Sequence, residues 1–150
     1  MKKVLSFFLL FTVFTSCIST RSTIRNIDDS IPGPELNEAF NSFIITKYAT
    51  DKKYGYNQDY PVNVGFTSIE DGTNNEIRFL NALAGPKGEK IKYQLKQSCC
   101  PFPTKKGDVG AATIDVYEIT WEGQAKPVIF YIEKFEKGEL MIPIGFTARK

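Results

Sequence analysis

The chain has 150 residues, no histidine, 19 basic and 17 acidic side chains, and a formal net charge of +2. The missing imidazole excludes Ser-His-Asp triads, Cys-His nucleophile pairs and His-ligated zinc or iron. Lys2 and Lys3 belong to a leader that holds no acid, so the remainder balances at 17 basic against 17 acidic and carries no electrostatic footprint for nucleic acid.

Met1 to Cys17 (MKKVLSFFLLFTVFTSC) has the layout of a secretory signal: Lys2 and Lys3, an apolar run from Val4 to Val13, then the small residues Thr15 and Ser16 before a cysteine. It is too short and wrongly flanked for a spanning helix. The cysteine after small residues resembles the lipobox of bacterial lipoproteins, with Phe14 in place of the usual leucine. That resemblance implies cleavage after residue 16 and acylation of Cys17, with palmitate-type chains holding the protein to a membrane of the cell envelope. Outer membrane is the expected address. Plain secretion and a retained anchor are the other two readings.

Ile18 to Pro34 is polar, rich in Ser and Thr, and closed by Pro32-Gly33-Pro34; it reads as a flexible tether. Residues 35–150 are then a single domain, large enough to bury a core without staples. Leu36, Ala39, Phe40 and Phe43 fall at helical spacing, so a short helix is expected over 35–43, followed by a strand over 43–49. The loop from Thr50 to Tyr60 carries Tyr54, Tyr56 and Tyr60. Tyrosines on a loop offer flat apolar area with a polar tip, so they are candidate partner contacts; folding back over a sheet edge is the alternative. Val62, Val64 and Phe66 alternate with Asn63 and Gly65 as in a half-buried strand.

Thr73 to Ala84 reads as the main helix, with a Thr73–Glu76 capping box, a stripe of Ile77, Leu80 and Leu83/Ala84, and Gly85-Pro86 as its stop. The preceding DGTNNE lacks the spacing of a calcium loop. Lys90 to Gln97 alternates as a strand whose lysine row marks a solvated face or a guarded edge. Ala112–Trp121 and Pro127–Phe135 read as a central hairpin around Glu122–Lys126, and Leu140–Phe146 as an edge strand, demoted by Pro143. The order predicts an α+β fold: a mainly antiparallel sheet of about five or six strands with the main helix on one face.

Two constellations are candidates for chemistry. Cys99 and Cys100 are adjacent and stand as two packed thiols, a vicinal disulfide, or a redox or metal pair; neither CxxC spacing nor histidine supports the last. If the hairpin is centred on Gln124, Asp115 faces Glu133, and two opposed carboxylates can share a proton and do acid–base work. A one-residue slip removes that pair. There is no phosphate loop or nucleophile elbow, and no residue set asks for a metal or cofactor.

The blocks KYATDKKYGYNQDYPVNVG, RFLNALAGPKGEKIKY, SCCPF and IPIGF, spread over Lys47 to Phe146, resemble a group of small bacterial lipoproteins of unknown role. Some members are labelled 2-dehydro-3-deoxyphosphooctonate aldolase. That aldolase family is a (β/α)8 barrel of about 250 residues, and this chain has neither the length nor the alternating strand–helix pattern. The expectation is therefore a lipid-anchored, non-enzymatic binding or scaffolding module with an envelope protein or glycan as partner. An envelope enzyme built on Asp115 and Glu133, a thiol redox protein built on Cys99 and Cys100, and an inhibitor or immunity protein against a secreted toxin are the competing classes.

Overall fold

A computed structural model describes residues 22–66 and 71–150. The expected signal peptide, residues 1–16, and Cys17 lie outside the described residues. In chain order these form β1 (Leu36–Asn37), β2 (Ser42–Phe43), β3 (Val62–Asn63), α1 (Gly72–Asn81), β4 (Leu83–Ala84), β5 (Lys92–Pro103), β6 (Ala111–Thr120), β7 (Val128–Glu133) and β8 (Thr147–Ala148).

The fold is α+β, with one helix and a four-stranded sheet ordered β3-β7-β6-β5. β5, β6 and β7 are antiparallel neighbours, whereas β3 lies parallel to β7. The sheet is therefore mixed rather than mainly antiparallel, and it is smaller than expected. Two further pairs, β1–β2 and β4–β8, stand apart as two-stranded antiparallel sheets. The Leu140–Phe146 run does not join the main sheet as an edge strand. Ile142 instead bridges Tyr48 in parallel, and the chain continues past Pro143 into β8 against β4.

β6 is apolar on both faces, and that sets the layering. Tyr117 and Ile119 point into the main core with Phe79 and Leu80 of α1, Phe130 and Ile132 of β7, and Val62 of β3. Ala112 and Ile114 point the other way, into a smaller core with Phe102 and Ile24. Burying both faces explains why the strand carries apolar residues on each of them.

Several local expectations give way to identifiable competitors. Residues 35–43 form a hairpin, not a helix: the Asn37 side chain accepts the Ala39 N–H at 3.1 Å, and Asn41 takes φ 45°, a left-handed turn that asparagine tolerates. The strand expected over 43–49 is reduced to Ser42–Phe43. α1 ends at Asn81, because Leu83 and Ala84 pair with Ala148 and Thr147. The Thr73–Glu76 capping box does not form; Glu76 is fully buried and turned toward the sheet.

The flexible tether expected over 17–34 is corrected from Ser22 onward. Ile24 is buried in the second core, Arg25 N–H donates to Asp59 O at 2.9 Å, and Asp28 N–H donates to Lys137 O at 2.8 Å. Asn63 Nδ2 donates to the carbonyls of Arg25 and Asn26 at 3.0 and 2.8 Å. A side chain at Gly138 would put its Cβ 2.1 Å from Asn26 O, so only glycine lets this strap lie against the domain.

Candidate functional site

A groove of about 810 Å3 opens where α1, β4, β8 and the start of β5 meet. Leu80, Leu83, Ala84 and Ile91 line its apolar part, Tyr48 and Tyr93 its aromatic walls, and Lys87, Lys90, Arg149 and Lys150 its basic rim. The pairing of β4 with β8 builds it, since it carries Thr147 and Arg149 beside the turn that follows β4. That turn is closed by Gly85 N–H to Glu89 O at 2.8 Å, and Thr147 Oγ1 donates to Gly85 O at 2.8 Å.

The groove's polar groups are held in place. Tyr93 OH donates to Asn81 Oδ1 at 2.8 Å, and Asn81 Nδ2 donates to Asn41 O at 3.1 Å. Burial raises the Tyr93 phenol, and the Arg149 charge opposes that shift. Arg149 N–H donates to Ala82 O at 2.8 Å while its guanidinium lies 4.3 Å over the Phe40 ring. Glu89 is the acid of the lining, and its Oε2 accepts the Lys87 N–H at 2.7 Å.

A second constellation lies under α1. Glu76 Oε2 accepts from Tyr117 OH at 2.9 Å. Asp115, 3% exposed, takes Lys134 Nζ at 3.0 Å on Oδ2 and the Ser98 hydroxyl on Oδ1. A Cβ on Gly72 would stand 2.7 Å from the Lys134 Cβ, so the absence of a side chain there admits the lysine stem. Burial, and after it the charge of Asp115, pushes Glu76 up to about 8. Glu76 thus holds a proton at neutral pH beside an ion-paired Asp115. Burial and the neighbouring Glu76 charge likewise raise the Tyr117 phenol.

The expected Asp115–Glu133 pair is not formed. Tyr117 faces Phe130 and Asp115 faces Ile132, one residue out of the predicted register. Successive side chains alternate across a strand, so Glu133 falls on the opposite face. There it accepts the N–H groups of Phe135 and Glu136 at 3.0 and 2.9 Å and closes the turn after β7. Burial pushes Glu133 up to about 8, against the two backbone donors that favour its charge.

The loop tyrosines turn inward. Tyr54 is 0% exposed, so the expected partner contact has no surface there; its OH accepts the Met141 N–H at 3.1 Å. Tyr56 stands edge-on to Phe130 and donates to Ile144 O, and burial pushes it up to about 12. Tyr60 packs edge-on to Tyr54 with Arg25 4.0 Å over its ring. Cys99 and Cys100 are joined as a vicinal disulfide with Cα atoms 3.8 Å apart. Cys100 takes φ 56°, and the β5–β6 register shifts between Cys99 and Phe102. The pair thus makes a bulge in the edge strand, and Cys100 packs on the second core. Among the described residues, no group of three or more His, Cys, Asp or Glu is placed to hold a metal ion.

The expected stripe of Ile77, Leu80 and Leu83/Ala84 left Glu76 off the buried face, and the observed face runs one position round from it. Gly72, Asn75, Glu76, Phe79 and Leu80 are the buried face of α1 and follow i, i+3, i+4, i+7, i+8. An acid on that stripe is a buried acid. Arg149 and Lys87 carried no comparable signal, because the β4–β8 pairing brings them together across the chain. No protein-family model, curated protein or solved structure matches the chain.

Proposed function

We propose that this chain is a lipid-anchored binding module of the cell envelope, related to the small bacterial lipoproteins its sequence resembles, and that its ligand enters the groove between α1, β4, β5 and β8. The groove carries this reading: about 810 Å3 lined by apolar, aromatic and oriented polar groups. Ligand sites have this volume and this mix of an apolar lining with a few placed polar groups. The anchor rests on Met1–Cys17. Two acyl signals together would hold the module stably where one gives only marginal binding.

Photo-crosslinking benzoyl-phenylalanine, which keeps an aromatic ring where it replaces a tyrosine, tests the groove in intact membranes. Placed at Tyr48, 53% exposed on the groove wall, it captures an envelope component; placed at Val109, 89% exposed and outside the groove lining, it does not. Equal capture at both positions, or none at Tyr48, rejects the groove. The anchor has its own check in the intact mass of protein extracted from membranes, where an unacylated chain rejects it.

An enzyme is the second reading, and one observation favours it: Asp115 accepts from the Ser98 hydroxyl and from Lys134 next to the proton-bearing Glu76. Asp115→Asn abolishes turnover in that case and leaves a binder's affinity unchanged.

A further inference from the structure

Resting on that reading, we infer that the groove takes an acidic glycan, a run of sugar rings bearing carboxylates. The chain as a whole is nearly neutral, yet Lys87, Lys90 and Arg149 face the groove against Glu89, which already accepts the Lys87 N–H. None of these three cations is in an ion pair among the described residues, whereas Arg25, Lys47, Lys96, Lys106 and Lys134 are paired elsewhere. Free cations around a concave wall collect anions and raise their local concentration.

The walls specify rings. Tyr48 presents an exposed ring, and Tyr93 presents one fixed through its hydroxyl to Asn81. Flat, pre-oriented aromatic faces suit the C–H faces of sugars, and little entropy is lost on stacking. Asn81 Oδ1 and Thr147 Oγ1 keep acceptor capacity toward sugar hydroxyls beyond the bonds they already make. An extended acidic peptide fits less well, because the strand edges beside the groove are short or irregular. β4 and β8 are two residues each, and β5 is interrupted at Lys96 and again between Cys99 and Phe102. Lysines and bulges along an edge oppose strand addition.

Calorimetric titration of the detergent-solubilised mature protein tests this with three probes: an oligogalacturonate, its methyl ester, and polyglutamate of matching length. The acidic oligosaccharide binds, and the ester and the peptide bind at least about tenfold more weakly. Lys87→Glu with Lys90→Glu, and separately Tyr48→Ala, each lower its affinity by about tenfold while the thermal melt stays unchanged. Equal binding of the ester shows that charge plays no part and overturns the inference; equal binding of polyglutamate shows that rings play none and does the same. Failure of the oligogalacturonate to bind also overturns it. Crosslinking at Tyr48 separates the two levels: capture there without oligogalacturonate binding leaves a binding groove for another ligand class, and no capture removes both.

Discussion

Glu76 holds its proton because charging it would leave a carboxylate in the main core beside Asp115. Its folded value of about 8 lies above the ordinary 4.5, so between these pH values the folded state binds more protons than the unfolded chain. This stabilisation is therefore full below 4.5 and is lost as pH rises toward 8, and Glu133 acts in the same direction over the same window. Glu76→Gln keeps an acceptor for Tyr117 and cannot ionise. Denaturant melts should show wild type losing stability relative to Glu76→Gln across that window, by at most about 1.4 kcal/mol per pH unit. A parallel pair of curves would mean that Glu76 titrates normally. Tyr117→Phe leaves Glu76 Oε2 buried without its donor, and should cost about 1–3 kcal/mol in the same assay. At Cys99 and Cys100 the expected outcome is chemical: thiol-blocking reagent added without reductant modifies neither residue, and mass spectrometry of the peptide spanning them reads this directly.

α1 gains its position from burial rather than from its first turn. The Thr73–Glu76 box would have placed Glu76 at the helix entrance, but Tyr117 holds it against the sheet. Thr73→Ala should accordingly change stability by less than about 0.5 kcal/mol, where loss of a working cap costs about 1 kcal/mol. A melt shifted by the larger amount would restore the cap. The same competition explains which elements the sequence disclosed. β6, β7, α1 and the first half of β5 were legible because each is long enough for its period to show, whereas the bulged half of β5 from Ser98 to Pro103 was not, and the β6–β7 hairpin was centred to within one residue. That one residue decided the chemistry, since it moved Glu133 to the other face and left Asp115 with Lys134 and Ser98. The groove was not legible at all. Its walls come from pairings such as Leu83 with Ala148, between residues far apart in the chain and in strands too short to carry a pattern. β1–β2 failed for a local reason: Phe40 and Phe43 do fall at helical spacing, and two asparagines outvote them.

The whole molecule is closed by its own N-terminal strap. Ile24 covers Phe102, Ala112 and Ile114, which would otherwise form an exposed apolar patch on the far side of the sheet. Ile24→Ala should cost about 2–5 kcal/mol by opening that core. Gly138→Ala should lower the melting temperature as well, because a Cβ 2.1 Å from Asn26 O pushes the strap away; unchanged melts would show that the strap contributes nothing. The strap also shortens the leash. With Cys17 in the lipid, as proposed, five residue steps separate the anchor from Ser22, and a fully extended chain spans at most about 18 Å over that distance. The domain would then ride close against the bilayer rather than sweep the space around it. Its ligands would be those within one domain's diameter of the membrane surface, and the height of a target above the lipid would decide access before affinity did.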